Sequence, residues 1–373
     1  MVEARSPIAE GQQHESRREW FGTAPPWRLA MGCEAAPHLE ASFQFGEGIL
    51  QIASDHPAFI ERLQQLFGDC AVAPAIFTKR PLVRCVLSCA SDPSRIVLAF
   101  QVGKPEDALA TMLNLLYPPP GTVPYVIKDG PLPGRRHISG GADPARPVVI
   151  AQDAELLIDP QLVPMDLLAD YLVSATLAAQ PHLLVVHGAS LRIGSAGIIL
   201  SGYSFAGKTT TALHVAARGH ALLGDEFAVI HCATGELLPL PRAMSIRPGP
   251  RGGALVDALE PFTGEMDSTA AANWTARMRI SALFPKSARR PARLRAAFFL
   301  GGFADRPSVT PCHPTLRDGE VFRYLASDML NSSWGLAPER RVLRLLALKA
   351  MLARIECWEL TLGAPDETAE LIE

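Results

Sequence analysis

One short segment constrains this chain more than any other. The eight residues from Gly202 to Thr209, GYSFAGKT, match the pattern G-x-x-x-x-G-K-[ST]. An apolar strand-like segment, residues 197–200, precedes them, and a helical pattern begins at Lys208. Glycines let the backbone curl so that successive N–H groups point to one centre, where the helix N-terminus adds partial positive charge. The segment therefore predicts a phosphate-binding loop between a strand and a helix of an α/β fold.

The loop also suggests which phosphate ligand it accepts. Lys208 is placed to reach the β- and γ-phosphates of a triphosphate, and the hydroxyl of Thr209 is a suitable ligand for Mg²⁺. The sequence thus predicts ATP and Mg²⁺ as cofactors. The residues expected to contact the nucleotide are Gly202, Tyr203, Ser204, Phe205, Ala206, Gly207, Lys208, Thr209 and Thr210.

A pair of acids, Asp225 and Glu226, follows the next short apolar segment. The carboxyl end of a strand is where an open α/β sheet binds its ligands. One of the two is placed to hold Mg²⁺ while the other accepts the proton of an attacking hydroxyl. Either acid suits either role at this point, and Gly-Asp-Glu also suits a solvated turn.

Two further residues are candidates for the same site. His187 ends the apolar segment before the loop strand and is predicted to face the phosphates as a catalytic residue, although a structural role is as compatible with its position. Arg242, in the segment Pro239 to Ala243, is a candidate for binding substrate or phosphate, with a surface arginine as the alternative.

Composition limits which partners and which cellular location are expected for this chain. The 373 residues carry a formal net charge of −3, which does not favour nucleic acid or an anionic membrane surface as a partner. The apolar segment 182–200 contains His187 and Arg192 and is too interrupted to span a bilayer. Seven scattered cysteines, an odd number, are expected to stay reduced. The prediction is a cytoplasmic protein, with homo-oligomer formation left open.

The pattern along the chain predicts three parts. Residues 1–40 are expected to form a flexible tail, residues 41–160 an α+β accessory domain and residues 161–373 a P-loop kinase-like domain. The same pattern predicts a strand over 45–52, helices over 57–67, 105–117, 164–180 and 338–359, and a hairpin over 147–159 that turns at Asp153.

Three segments together resemble a known family. His187-Gly188-Ala189-Ser190-Leu191, the glycine-rich loop, and Arg218-Gly219-His220 followed by Ala221 to Glu226 are similar to the catalytic domain of HPr kinase/phosphorylase. The ending from Leu360 to Ile372 resembles the tail of HPr-kinase-related proteins found beside peptide-modifying enzymes, including lasso-peptide kinases. The similarity covers residues 182–247 and, loosely, the C-terminal tail.

This resemblance implies a fold of the phosphoenolpyruvate-carboxykinase-like type and ATP-dependent phosphorylation of a serine hydroxyl. It implies Asp225 as the base toward that hydroxyl, which leaves Glu226 to hold Mg²⁺ together with Thr209. The exchanged assignment of the two acids is the alternative. Phe205 stands where the family often has Gly or Ser, and Glu226 stands where it usually has Asp. A glycine-rich signature linked to phosphorylase activity does not follow Glu226. The expected acceptor is therefore a hydroxyl of a peptide or small molecule rather than HPr. A nucleotide-binding regulatory module and a P-loop ATPase are the alternatives.

Overall fold

The computed structural model describes residues 39–73, 82–91, 94–105, 107–113, 115–116, 118–130, 132–203, 205–246, 276–285, 289–312 and 336–373. The predicted tail, residues 1–40, lies outside this set except for its last two residues, and Ser204 of the glycine-rich loop also lies outside it. Within the described ranges, none of the helices combines the length and the apolar character needed to cross a membrane.

The first half forms a sheet of eight described strands. They are β1 (Leu39–Phe45), β2 (Gly48–Ser54), β3 (Leu82–Cys89), β4 (Ile96–Val102), β5 (Val123–Asp129), β6 (Arg136–Gly141), β7 (Val149–Gln152) and β8 (Glu155–Ile158). Their order across the sheet is β1-β2-β3-β4-β8-β7-β6-β5, and the neighbours β2 and β3 are parallel. The predicted hairpin over 147–159 is confirmed, with Asp153 in its turn at φ 50°.

The predicted single strand over 45–52 is wrong. The chain reverses there, so that β1 and β2 pair as an antiparallel hairpin. Gly46 has φ +62°, a left-handed conformation that glycine adopts without steric cost. A Cβ at Gly46 would lie 2.6 Å from Leu183 Cδ1, so the turn packs tightly against the start of the second half.

Three of the described helices cover the first sheet: α1 (Pro57–Phe67), α2 (Ala108–Leu113) and α3 (Met165–Ala178). Helix α1 buries the five predicted residues, Phe59, Ile60, Leu63, Leu66 and Phe67, because their spacing places them on one face. Helix α2 is shorter than the predicted 105–117. Asp107 accepts a 3.0 Å hydrogen bond from the Ala110 amide and caps its start, and the prolines at 118–120 do not allow a helix to continue.

The second half contains a nine-stranded sheet and a separate pair, β15 and β16. The strands are β9 (Leu183–His187), β10 (Ala189–Ile193), β11 (Ala196–Ser201), β12 (Ala221–Gly224), β13 (Phe227–His231), β14 (Glu236–Leu238), β15 (Met244–Ile246), β16 (Ala276–Met278), β17 (Ala292–Phe303), β18 (Ser308–Pro311) and β19 (Glu356–Leu362). The order in the large sheet is β12-β10-β11-β17-β14-β13-β9, with β19 pairing to β17 and β18.

Four described helices belong to this half: α4 (Lys208–Ala217), α5 (Ile280–Leu283), α6 (Pro338–Leu352) and α7 (Pro365–Ile372). The helix predicted over 338–359 ends early, since residues 356–362 form β19, parallel to β17. Cys357, Leu360 and Leu362 are buried in that strand. Pairing with β17 thus decides the conformation of a segment whose local pattern suits a helix.

The two halves share apolar contacts. Leu183, Val185 and Val229 from the second sheet join the buried cluster formed by the first sheet and helix α3. The second sheet also has two clusters of its own, one containing residues of α4 and α7 and the other containing residues of α6. The architecture is therefore mixed α/β with several sheets. The domain division near residue 160 stays a prediction.

The cysteines differ from the expectation. Cys70, Cys85, Cys232, Cys312 and Cys357 are thiols. Cys89 is disulfide-bonded, so the prediction that all seven remain reduced is wrong. An odd count indicates an unpaired cysteine but does not exclude a single bridge between two others. A cytoplasmic location stays a prediction, without the support of fully reduced thiols.

Candidate functional site

The glycine-rich loop lies between β11 and α4, as the sequence predicts. Gly207 precedes the first helical residue and has φ +95°, which strongly favours glycine. A Cβ there would lie 2.7 Å from Leu362 Cδ1. The Thr211 amide donates to Gly207 O at 2.9 Å and closes the first turn of α4. The loop backbone is thus fixed both by its own conformation and by β19.

Phe205 is the unusual member of the loop. Its φ of +62° is left-handed, which costs a residue with a Cβ about 1 to 2 kcal/mol. Its side chain is 53% exposed, so burial of the ring offsets only part of that cost. Strained backbone of this kind concentrates at functional sites. The strained backbone thus indicates a functional role for the loop independently of its sequence pattern.

Lys208 curls back into the loop. Its Nζ donates to Gly202 O at 2.7 Å and to Tyr203 O at 3.0 Å, and the residue is only 8% exposed. The ammonium therefore lies at the concave side of the loop, beside the N-terminus of the ten-residue helix α4. Positive charge, backbone N–H groups and a helix N-terminus in one place favour an anion such as a phosphate group.

The predicted acids come next to this helix. The hydroxyl of Thr209 donates a 3.0 Å hydrogen bond to Asp225 Oδ2. Asp225 and Glu226 are 4% and 6% exposed and lie in the tight connection between β12 and β13. Thr210, the next predicted contact, is half-buried. Buried carboxylates require polar partners, which here come from the loop helix and from β9.

His187 supplies the contact from β9. Its Nδ1 lies 3.6 Å from Glu226 Oε2, and the Gly188 amide donates to Glu226 O at 3.3 Å. The pairing of His187 with Phe227 in the β9–β13 ladder places the histidine beside the acids. The structure therefore brings together four predicted residues from three separate segments of the chain: His187, Thr209 and the adjacent acids Asp225 and Glu226.

Arg242 has a different setting from the one predicted. It is 2% exposed, and its Nη2 lies 2.8 Å from Asp170 Oδ1 while the guanidinium lies 5.7 Å from the centre of the Phe67 ring. Burial lowers the pKa of Arg242, but the negative charges of Asp170 and Glu226 outweigh burial, so the pKa is raised overall. Arg242 therefore forms an internal ion pair in the structure. Its predicted role in binding substrate or phosphate stays a prediction, and its burial beside Asp170 does not favour that role.

Asp170 is the residue that sequence reasoning missed. It lies within α3 among apolar neighbours and is 8% exposed. A carboxylate on the buried face of an apolar helix requires a partner, and that signal is readable in the segment 165–178. The identity of the partner, Arg242, is set by how α3 packs against the segment after β14.

The comparison with known proteins gives one distant similarity. Two HPr kinase/phosphorylase proteins, from two strains of Treponema pallidum of which one is strain Nichols, are each 38% identical to this chain over 55 residues. The match covers 15% of this chain and 17% of the length of each relative. The chain matches no protein-family model. The comparison therefore supports a distant relationship to HPr kinase/phosphorylase over one short segment.

Proposed function

We propose that this chain is an ATP- and Mg²⁺-dependent kinase of the HPr-kinase-like type that phosphorylates a hydroxyl of a peptide or small molecule. The observation that carries the proposal is the Thr209–Asp225 hydrogen bond, because it joins the glycine-rich loop to the buried acids. The similarity to two HPr kinase/phosphorylase proteins supports the same reaction class. Peptide natural-product biosynthesis, a cytoplasmic location and the phosphoenolpyruvate-carboxykinase-like fold belong to this proposal as well.

The oxygen donors at the site fit Mg²⁺. The Thr209 hydroxyl and the carboxylates of Asp225 and Glu226 are hard oxygen ligands, which this ion prefers. In P-loop enzymes the metal is held by the loop Ser or Thr and by an Asp after a neighbouring strand. The 3.0 Å Thr209–Asp225 bond matches that pairing. When bound, Mg²⁺ neutralises charge that develops on the transferred phosphoryl group.

The same geometry supports exchanging the two roles expected from the sequence. Asp225, bonded to Thr209, is assigned to the metal. Glu226, with its carboxylate 3.6 Å from His187, is assigned to accept the proton of the attacking hydroxyl. A histidine 3.6 Å from the accepting carboxylate restricts its position toward the attacking hydroxyl. His187 is then a positioning residue for Glu226.

The remaining roles concern the phosphates. Lys208 is assigned to the β- and γ-phosphates, and reaching them requires that its Nζ exchange Gly202 O and Tyr203 O for phosphate oxygens. The loop amides and the α4 N-terminus add neutral and dipolar donors. Phosphoryl transfer needs mainly positioning and charge neutralisation, and this loop supplies both.

The experiment that tests the proposal follows the γ-phosphate. The full chain is incubated with Mg²⁺ and ATP labelled at the γ-position, with and without hydroxyl-bearing peptides and small alcohols. Labelled acceptor is the expected product. Inorganic phosphate released at the same rate with and without acceptor would indicate a P-loop ATPase, and tight nucleotide binding without turnover would indicate a regulatory module. Either result overturns the kinase proposal.

A further inference from the structure

A second cluster of potential ligands lies at the opposite end of the strands that hold the candidate site. His182 directly precedes β9, and His231 ends β13, whereas His187 and Glu226 lie at the other ends of these two strands. Five residues of strand separate the two ends by roughly 15 Å. The turn between β1 and β2 brings Glu47 to the histidines.

Three side chains converge there. Glu47 Oε2 lies 2.9 Å from His182 Nε2. The rings of His182 and His231 have centroids 5.4 Å apart and planes tilted by 52°. One ligand atom from each of Glu47, His182 and His231 lies within 4.8 Å of the other two. All three side chains are at least partly open to solvent, so an ion can reach them.

The backbone that carries these side chains is held firmly. The fully buried Gln180 donates to Phe45 O at 2.9 Å, and its Oε1 accepts from the Glu47 amide at 2.8 Å. The Cys232 amide donates to His182 O at 2.9 Å, which fixes the two histidine-bearing segments to each other. The side chains therefore converge from a preformed scaffold, and only their outer torsions need to adjust.

We propose that Glu47, His182 and His231 bind a divalent transition metal ion, Zn²⁺ first, across the junction between the two sheets. Two imidazoles and a carboxylate, with water in the fourth position, form a donor set that suits Zn²⁺ better than Mg²⁺ or Ca²⁺. Tetrahedral ligands about 2.0 to 2.2 Å from zinc are roughly 3.4 Å from one another. The Glu47–His182 contact at 2.9 Å opens by roughly 0.5 Å to reach this spacing, and the other separations, all within 4.8 Å, adjust by rotation of partly exposed side chains.

Several existing interactions oppose the ion. The Glu47–His182 hydrogen bond is lost when the metal binds both side chains. The Thr234 amide donates to His231 Nδ1 at 3.2 Å, a hydrogen bond that is also lost when the metal takes either ring nitrogen. Arg344, whose guanidinium donates to Gln180 O at 3.4 Å, brings positive charge to the junction. Coordination of the ion by three protein ligands outweighs these interactions. The negative charge of Glu47 further offsets the arginine.

Another group with three potential ligands, Asp55, His56 and Cys89, is a weaker candidate. Its sulfur belongs to a disulfide-bonded cysteine and is not available as a thiolate. Burial lowers the pKa of His56, which Asp55 partly offsets, and their 3.3 Å contact explains the pairing without an ion.

Zinc titration of the full chain tests the proposal. The protein is stripped with a chelator and titrated calorimetrically with Zn²⁺ in the absence of nucleotide and Mg²⁺. Glu47→Gln and His231→Gln remove one ligand each from the cluster. The matched control is His214→Gln, since His214 pairs with Asp366 at 2.8 Å in a similar way but belongs to no group of three ligands among the described residues.

The expected result is one zinc site per chain that both ligand variants weaken at least tenfold and that the control leaves unchanged. Zn²⁺ should also raise the Tm of the wild type and of the control more than that of either variant. Circular dichroism confirms that each variant is folded, and the exposed Glu47 makes Glu47→Gln the safer of the two.

Wild-type protein that binds no zinc would overturn the proposal, and so would unchanged affinity and stoichiometry in both ligand variants. Cobalt substitution adds a second check, because a site made only of nitrogen and oxygen ligands lacks the intense thiolate charge-transfer band. A strong band of that kind would assign the metal to cysteines and contradict the proposal. None of these outcomes bears on the kinase proposal, whose residues lie at the other end of the strands.

Discussion

The hydroxyl of Thr209 donates a 3.0 Å hydrogen bond to the carboxylate of Asp225. The bond joins the first turn of α4 to the connection after β12, two elements that only the fold brings together. It places a hydroxyl and a carboxylate side by side at the end of the glycine-rich loop. If the chain is the kinase proposed above, this bond should be replaced by a shared Mg²⁺ ion when nucleotide binds.

Variants of the two acids distinguish their roles. Glu226→Gln keeps the size of the side chain and removes the proton acceptor, so transfer should fall at least about tenfold while nucleotide binding survives. Asp225→Asn should instead weaken the dependence on Mg²⁺, with activity partly recovered at higher metal concentration. Initial rates measured against Mg²⁺ concentration check both expectations. The reverse pattern would return the base role to Asp225.

Lys208→Ala should remove most of the affinity for ATP with Mg²⁺, because the ammonium is the charged donor at the loop. Lys349→Ala, an exposed lysine on α6, is the matched control and should bind like the wild type. Isothermal titration calorimetry compares the two. Equal affinities would show that the loop does not bind the triphosphate as proposed.

Gly207→Ala should destabilise the chain by about 1 to 3 kcal/mol and impair nucleotide binding. Residue 207 has a left-handed φ of +95°, which is strained for alanine, and the new Cβ would lie 2.7 Å from Leu362 Cδ1. Gly235→Ala is the control, since Gly235 has φ +68° with nothing within 4 Å of its added Cβ, and it should cost only about 1 kcal/mol. Urea unfolding measures both, and an equal loss in the two would exclude the steric contribution of Leu362.

Arg242→Met should destabilise the fold by about 3 to 5 kcal/mol, because it leaves the buried carboxylate of Asp170 without its guanidinium. The double variant Arg242→Met with Asp170→Leu should recover most of that loss. Chemical denaturation of the single and double variants checks the expectation. Unchanged stability in Arg242→Met, together with loss of phosphoryl transfer, would favour the substrate role instead.

The C-terminal helix should respond to acid through Glu373. Its side-chain hydrogen bond with Arg218 lowers its pKa, with partial burial opposing. A carboxyl with a lowered folded-state pKa stabilises the fold above its ordinary pKa of 4.5, and this contribution is lost as pH falls through the folded-state value. Glu373→Gln should therefore lower the Tm slightly at pH 7, and the difference from the wild type should shrink as the pH falls through the folded-state pKa. Glu61→Gln, an exposed glutamate on α1 outside its first turn, is the control and should leave the Tm close to that of the wild type.

Local chemistry determined a good part of this protein from its sequence. The spacing of Phe59, Ile60 and Leu63 fixes the buried face of α1, because helical periodicity is a property of neighbouring residues. The glycine before α4 and the lysine that begins this helix belong to one eight-residue pattern that predicts a phosphate-binding loop. The hairpin at Asp153 follows from a turn between two short apolar segments. Each of these signals lies within about a dozen residues.

Contacts between distant segments were decided by the tertiary structure. Glu47 meets His182 across 135 positions, and neither residue carries a local sign of the other. His187 meets Glu226 only because β9 pairs with β13, an order of strands that one sequence does not reveal. The segment 356–362 became a strand, against its helical pattern, because β17 offered a parallel partner whose pairing outweighs local propensity. Secondary-structure propensity acts over a few residues and contributes a few tenths of a kcal/mol per residue. Burial and strand pairing involve residues from the whole chain, and they therefore decided which local preferences the folded protein kept.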